Sequence, residues 1–209
     1  MIDYDVLRGI DVGQFRTRQP FPWINVQHFL MRSAFQQLHA TFPPRERFEW
    51  HANRDRRYGQ RPHNRYYLEL EGRRTAEAGS TGLIRKAELA PPWRALLDEL
   101  ETSREYRELV CALLQVSGWQ TRYAWHVGIT GSEVSPHADS PVKFGTHILY
   151  FNTDEDWRAE WGGATLLLSG KTGDRLDPDF GDFATAVEME TVGSRSLLFK
   201  NLPEAWHGV

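Results

Sequence analysis

The sequence predicts a mainly β fold with additional α-helices, and two observations predict it. Before Gly118, apolar residues recur at the three-to-four-residue spacing of a helix. After Gly118, they alternate with polar residues in short runs that are separated by turn-forming residues. Helices followed by many short strands are typical of a double-stranded β-helix (a jelly-roll or cupin-like barrel) with N-terminal supporting helices. We expect a single domain over 1–209, with a support region over 1–118 and the barrel core over 119–209.

The first fifty residues contain one helical pattern. Residues 1–20 lack clear periodicity and are predicted to form an extended or short-strand lead-in. A helix is predicted over about 26–41, and Pro43-Pro44 ends it because proline cannot continue a helix. The apolar face of this helix consists of Leu30, Ala34 and Leu38.

A strand over 66–70 and two helices complete the predicted support region. The first helix begins at Pro91-Pro92, since proline is favoured in a first helical turn. The second helix follows directly and ends near Gly118. Their apolar faces consist of Trp93, Leu96, Leu97 and Leu100 in the first helix, and of Tyr106, Leu109, Val110, Leu113 and Leu114 in the second.

The barrel core is predicted from a series of strand-like segments. Residues 170–183 are rich in Gly and Asp and are predicted to form a long surface loop between strands. In the support region, the arginine-rich segment 45–65 fits either a solvated loop or a mobile lid that meets a polar or anionic substrate. The predicted strands are 121–127, 146–152, 164–168 and 193–199.

Composition excludes several classes of function. A net charge of −3 and a pI near 6.2 give no electrostatic reason to bind nucleic acid or an acidic membrane surface. No apolar run approaches the ~20 residues that a membrane helix needs. The single cysteine, Cys111, rules out an internal disulfide, and the first residues do not show the pattern of a signal peptide, so we expect none. We therefore expect a cytoplasmic protein.

The pair His137 and Asp139, together with His207, predicts a metal site. Two imidazoles and one carboxylate are the set that holds iron(II) on one face and leaves positions open for oxygen and a substrate. Asp139 and His207 are 68 positions apart, a separation that suits a small β-barrel that brings two distant strands together. Taken alone the pattern is weak, because an Asp in a turn and an exposed histidine near the end of the chain would look the same.

The surrounding motifs strengthen this prediction. The sequence resembles the iron(II)/2-oxoglutarate-dependent dioxygenases, most closely the prolyl-4-hydroxylase-like branch, over about residues 119–209. Members of that family show H-x-D, then Tyr-hydrophobic-Asn, then Gly-Gly-x-hydrophobic, then a second histidine before a pair such as Gly-Val. The matching residues here are His137 and Asp139, Leu149-Tyr150-Phe151-Asn152, Gly162-Gly163-Ala164-Thr165-Leu166 and Trp206-His207-Gly208-Val209.

The resemblance implies iron(II) as cofactor, 2-oxoglutarate and molecular oxygen as cosubstrates, and ascorbate as a possible reductant in vitro. It implies hydroxylation of an amino acid, a peptide or a small metabolite, with release of succinate and CO2. Tyr150 and Thr146 share one strand face and are assigned to 2-oxoglutarate; the same alternation puts His147 on the opposite face and excludes it as a ligand. Candidate substrate contacts are Lys143, Trp125 and Trp161, for which a solvated loop or plain core packing is the alternative.

One departure from the family pattern affects the expected cosubstrate site. The family places an Arg or Lys nine or ten residues beyond the distal histidine, whereas this sequence stops at Val209. We expect a truncated chain that lacks the last barrel strand, with His207 on a fraying tail and weak binding of iron. Otherwise the carboxylate anchor is Lys143 or an arginine of 45–65. A catalytically inactive binding module and a metal-binding barrel that does not use 2-oxoglutarate remain alternatives.

Overall fold

The computed structural model describes residues 1–52, 63–72 and 79–209. The middle of the arginine-rich segment, predicted as a loop or a lid, therefore lies outside the described residues. The described helices are α1 (Tyr4–Arg8), α2 (Val12–Thr17), α3 (Arg32–Ala40), α4 (Pro91–Thr102) and α5 (Arg104–Leu114). The described strands are β1 (Trp23–Gln27), β2 (Glu49–His51), β3 (Arg65–Leu70), β4 (Leu83–Ile84), β5 (Ala124–Val127), β6 (Gly145–Leu149), β7 (Leu166–Lys171), β8 (Phe183–Glu188), β9 (Arg195–Lys200) and β10 (Trp206–Gly208).

The strands form mainly antiparallel sheets, as the sequence predicts. One sheet has the order β1-β9-β6, and a second has the order β10-β7-β8. A third sheet contains β2, β3 and β5 in antiparallel pairs, with the short β4 parallel to β3. None of the described helices has the length and apolarity that crossing a bilayer requires.

The first thirty residues differ from the prediction. Residues 1–20 contain two short helices, because the side chains of Asp3 and Asp11 accept hydrogen bonds from the backbone N–H groups that open α1 and α2. The helix predicted over 26–41 begins only at Arg32. Residues 23–27 form β1 instead. The β-branched Ile24 and Val26 suit this strand, which pairs with β9.

The two long helices α4 and α5 confirm the prediction from apolar spacing. They begin at Pro91 and at Arg104, and the second is capped by the Ser103 hydroxyl. It ends in a left-handed Gln115 (φ 60°), a few residues before Gly118. Both helices bury their predicted apolar faces in a large outer core, which also receives Leu198 from β9.

A smaller inner core lies between the first two sheets. It contains Leu197 and Phe199 of β9, Leu167 of β7 and Trp23 of β1. Alternation along β9 thus sends Leu198 to the helices and its two neighbours to the interior between the sheets. This interior leads to the residues of the predicted metal site.

Strand β6 has the register that the sequence predicts. Ile148 and Tyr150 pack against the inner core, whereas Leu149 and Phe151 pack against the outer core. His147 accordingly points to the helices, where its Nδ1 shares a hydrogen bond of 3.0 Å with the Tyr106 hydroxyl. Burial lowers the pKa of His147 to about 4.

This buried histidine predicts a loss of stability in acid. Because the folded pKa lies below the ordinary value of 6.5, the unfolded chain binds the proton first. The contribution of His147 is fully present above pH 6.5 and is lost as the pH falls towards 4, by up to ~1.4 kcal/mol per pH unit. We expect urea unfolding of His147→Asn, which keeps an acceptor for Tyr106, to depend less steeply on pH across this interval. An unchanged slope would contradict the assignment.

Candidate metal centre

The predicted site is built where residues 134–137 run beside the end of the chain. His137 N–H donates to the His207 carbonyl and His207 N–H donates to the His137 carbonyl, each at 2.9 Å. Val134 and Val209 exchange a second pair of bonds, also at 2.9 Å. The opposite edge of β10 pairs with β7. The expectation that His207 lies on a fraying tail is therefore wrong for this structure, because the segment is paired along both edges.

The three predicted metal ligands come together. One side-chain ligand atom from each of His137, Asp139 and His207 lies within 4.8 Å of the other two. Both histidines are buried, and their ring centroids are 4.3 Å apart. His137 forms an isolated bridge rather than part of a regular strand, so the two ligands of the H-x-D motif lie on an extended segment.

Backbone carbonyls set the tautomers of both histidines. The Nδ1 atom of His137 lies 2.9 Å from the Ser135 carbonyl, and that of His207 lies 2.9 Å from the Ala205 carbonyl. Since a carbonyl oxygen only accepts, each Nδ1 carries the proton and each Nε2 keeps its lone pair. This second contact is the usual support of a metal-binding imidazole.

The carboxylate of Asp139 is held by two side chains. Lys143 Nζ donates to Oδ1 at 2.6 Å, and Thr146 Oγ1 donates to Oδ2 at 2.8 Å. Burial alone would raise the pKa of Asp139, but the charge of Lys143, the nearby His207 ring whenever it is protonated, and these two hydrogen bonds outweigh it, so the pKa lies well below its usual range. Asp139 is therefore an anion over the whole physiological pH range.

Asn201 fixes the turn that carries Lys143. Its side-chain Nδ2 donates to the carbonyls of Ser140 and Lys143 at 2.9 and 3.0 Å. Its backbone N–H donates to the Phe144 carbonyl at 2.9 Å. The turn between Asp139 and β6 is thus bound to the connection between β9 and β10.

Each of the two predicted cosubstrate residues contacts another protein group. Thr146 contacts Asp139, as described above. The hydroxyl of Tyr150 donates to Thr165 Oγ1 at 2.7 Å, and its ring packs against the inner core. Burial raises the pKa of Tyr150 well above its usual range, so the hydroxyl keeps its proton.

The three candidate substrate residues lie in different environments. Lys143 is bonded to Asp139, with its side chain 37% exposed. Trp125 is buried in the outer core, 5.4 Å from the ring of Trp93, because alternation along β5 turns it towards the helices. Trp161 is 59% exposed and lies against Trp157, with ring centroids 5.9 Å apart. The burial of Trp125 agrees with the core-packing alternative rather than with a substrate contact. Trp161 also lies 6.0 Å from the Arg158 guanidinium, and its assignment to the substrate stays a prediction.

The third sheet contributes several histidines that the sequence analysis did not assign to the site. The ring of His63 lies 4.8 Å from that of His137. Residues 63, 65 and 67 of an extended chain share a face, and pairing between strands adds His126 opposite Tyr67 and His51 opposite Arg65. We call this set the polar wall: His51, His63, Arg65, Tyr67 and His126.

Alternation along β3 was the available signal for the polar wall. Leu68 and Leu70 are buried in the outer core, so the intervening residues must face away from the helices. Without the pairing of β3 and β5, however, the sequence did not connect His126 with His63.

Comparison with solved structures shows which fold this is. The crystal structure of a Pseudomonas putida prolyl-4-hydroxylase superposes with a TM-score of 0.58 at 17% identity, covering 95% of this chain and 88% of that one. A prolyl hydroxylase from Trichoplax adhaerens, solved with a hypoxia inducible factor oxygen degradation domain peptide fragment, gives a TM-score of 0.58 at 16% identity, covering 99% and 84%. The chain thus shares the fold of prolyl hydroxylases. No protein-family model and no curated protein sequence matches it.

The bond from Thr146 to Asp139 predicts an effect on metal affinity. Thr146→Val keeps the shape of the side chain but removes the hydroxyl that orients the carboxylate. We expect the affinity for Zn(II) or Co(II), measured by equilibrium dialysis, to fall about 10- to 100-fold. Thr146→Ser should restore most of it, and equal affinities for the Val and Ser variants would show that the hydroxyl does not position Asp139.

The close approach at Gly208 predicts a second effect. A Cβ there would lie 2.7 Å from the Val134 carbonyl oxygen and 2.8 Å from the Phe180 ring, so the chain next to His207 would have to move. We expect Gly208→Ala to lower the free energy of unfolding in urea by about 1–3 kcal/mol. Gly181→Ala is the matched control, since a Cβ at Gly181 meets no atom within 4 Å. Similar losses in both variants would contradict this explanation.

Proposed function

We propose that the chain, which has the fold of prolyl hydroxylases, is an iron(II)- and 2-oxoglutarate-dependent oxygenase on a double-stranded β-helix. It would hydroxylate a C–H bond of an amino acid, a peptide or a small metabolite and release succinate and CO2. The observation that carries this proposal is the convergence of His137, Asp139 and His207, with the Nδ1 atom of each histidine held by a backbone carbonyl.

The donor set fits iron(II). Two neutral imidazoles and one carboxylate are the ligands of non-haem oxygenases, and three ligands leave positions for a bidentate cosubstrate and for oxygen. Bound iron would supply the activation of oxygen, which protein side chains do not provide. Exchange for another divalent metal would preserve binding but not this redox chemistry.

The chain's own residues orient the ligands and exclude water. Ser135 and Ala205 fix the two imidazoles through their carbonyls, and Thr146 and Lys143 fix the carboxylate. The centroid of the Phe199 ring lies 4.7 Å from that of the His207 ring, so this imidazole has an apolar neighbour. Such fixed surroundings lower the cost of reorganising the site during a reaction.

Tyr150 and Thr165 are proposed to meet the cosubstrate as a pair. Because the Tyr150 hydroxyl donates to Thr165 Oγ1, the Thr165 hydroxyl directs its own proton elsewhere. Chains of this kind polarise one another and strengthen the terminal donor. A carboxylate of 2-oxoglutarate is a suitable acceptor, so the contact assigned to Tyr150 from the sequence would be made through Thr165.

The test is production of succinate. Purified protein with iron(II), ascorbate, 2-oxoglutarate and oxygen should release succinate and CO2, measured by mass spectrometry and by capture of labelled CO2. His137→Ala should lose both iron binding and turnover, because one of three ligands is removed. His39→Ala is the control, since His39 lies on α3 and pairs with Asp156.

Other outcomes would distinguish the alternatives. Iron bound in a His137-dependent way without any succinate would indicate a metal protein that does not use 2-oxoglutarate. Absence of His137-dependent metal binding would overturn the proposed function and favour a binding module.

A further inference from the structure

A buried tyrosine and histidine form a hydrogen-bonded pair behind the strand that carries Thr146. The Tyr106 hydroxyl and the Nδ1 atom of His147 are 3.0 Å apart, and the planes of the two rings are inclined by only 25°. Tyr106 belongs to the outer core and is 7% exposed. The Phe29 ring packs edge to face against the imidazole, with centroids 4.7 Å apart. The pair is thus held on two sides in an apolar setting.

The proton of this hydrogen bond belongs to the phenol. Burial raises the pKa of Tyr106 well above its usual range, and burial lowers the pKa of His147 to about 4. At pH 7 the phenol is therefore neutral and donates, and the neutral imidazole accepts through the lone pair of Nδ1. The pair joins an oxidisable ring directly to a base.

A single strand connects the pair to the candidate metal centre. His147 follows Thr146 on β6, and the Thr146 hydroxyl donates to Asp139 Oδ2 at 2.8 Å. Alternation sends the two side chains to opposite faces of the strand. A continuous path of covalent bonds and two hydrogen bonds therefore leads from Asp139 through β6 to the Tyr106 hydroxyl.

Trp119 continues this path towards solvent. Its ring meets that of Tyr106 edge to face, with centroids 6.1 Å apart. Trp119 is partly exposed, and the Arg107 guanidinium lies 5.0 Å from the centre of its ring. Phenols and indoles are among the side chains that lose one electron most readily. A reductant in solution can therefore reach the pair through Trp119 without entering the metal site.

We propose that Tyr106 is a redox-active tyrosine and that His147 is its proton acceptor. An oxidised metal centre takes one electron from the Tyr106 ring, and the phenolic O–H bond breaks as its proton moves to Nδ1 of His147. The products are a neutral tyrosyl radical, an imidazolium and a metal reduced by one electron. The inference rests on the proposed function, because an oxygen-activating metal is the oxidant.

The pair returns to its starting state by the reverse transfers. One electron from ascorbate, passed through Trp119, reduces the radical, and the proton moves back from His147 to the phenolic oxygen. Burial favours this return because it disfavours the charged imidazolium. The pair would in this way protect the metal ligands when oxygen reacts in the absence of a substrate.

The first test needs no metal at the candidate site. Photogenerated tris(bipyridine)ruthenium(III) in solution serves as the one-electron oxidant, and the radical is identified by EPR in protein that contains ring-deuterated tyrosine. We expect a tyrosyl signal that Tyr106→Phe removes. Tyr4→Phe is the matched control, since the Tyr4 hydroxyl donates at the same 3.0 Å to Ser103 Oγ, which is a poor base. No tyrosyl signal, or one of undiminished size in Tyr106→Phe, would overturn the proposal.

The second test separates the base from the hydrogen bond. His147→Asn keeps an acceptor for the phenol but offers no base, so we expect the Tyr106 radical to form at least about tenfold more slowly. Circular dichroism verifies that the variant is folded. In the unaltered protein, the same step should be slower in deuterium oxide, because a proton moves. A rate that neither the substitution nor deuterium changes would refute the role of His147.

The third test connects the pair to the metal. Protein with iron(II) and 2-oxoglutarate is exposed to oxygen without substrate and frozen at intervals for EPR, and oxidised side chains are mapped by mass spectrometry. We expect the Tyr106 radical, its loss on adding ascorbate, and more oxidation around His137 in Tyr106→Phe. Succinate formation without this radical, and with equal oxidation in both proteins, would overturn the protective role.

Succinate measured on the same samples distinguishes the two proposals. Its absence would contradict the proposed function and remove the oxidant, and with it the protective role. The ruthenium experiment would still decide whether Tyr106 and His147 form a redox-active pair.

Discussion

The reciprocal hydrogen bonds between the backbones of His137 and His207 are the constraint on which the candidate site depends. They place two residues, 70 positions apart in the sequence, in direct register. Each imidazole then needs only one further bond, to a carbonyl two residues earlier, to fix its plane and tautomer. The site is therefore determined more by pairing of the main chain than by packing of the side chains. This pairing brings the Val134 carbonyl close to Gly208, where only a residue without a Cβ leaves enough room.

The outer and the inner core stabilise different parts of the structure. The outer core, with most of the large aliphatic side chains, joins the helices to the backs of two sheets. The inner core is smaller and ends at the Phe199 ring beside His207. Because β3, β6 and β9 each send alternate residues in two directions, every one of these strands contributes both to stability and to the surroundings of the site.

Several features could be predicted from the sequence because they are local or periodic. The apolar faces of α4 and α5 and the alternation around Tyr150 repeat at fixed spacing, so they need no knowledge of tertiary pairing. The triad was identified because its residue types occur together with the ordered motifs around them, since the pattern taken alone is weak. The helices α1 and α2 were missed, although Asp3 and Asp11 are good capping residues, because five or six residues give too short a pattern.

Features that depend on distant pairing were not predictable. Nothing in the sequence near Trp23 indicates β9 as its partner, and so the end of β1, Val26 and Gln27, was assigned to a helix. Trp125 was a candidate substrate contact and His126 was not assigned to the site, but the pairing of β5 with β3 turns Trp125 into the outer core and His126 to the opposite face. Lys143 was assigned to the substrate and Thr146 to 2-oxoglutarate, whereas the side chains of both donate a hydrogen bond to Asp139.

The clamp formed by Asn201 links the geometry of the metal ligands to one short connection. It binds the turn after Asp139, and the chain that continues from it reaches His207 six residues later. A displacement of this connection would therefore carry the carboxylate and the distal imidazole in the same direction, with little change in their separation. We therefore expect thermal displacements of the carboxylate and of the distal imidazole to be correlated rather than independent.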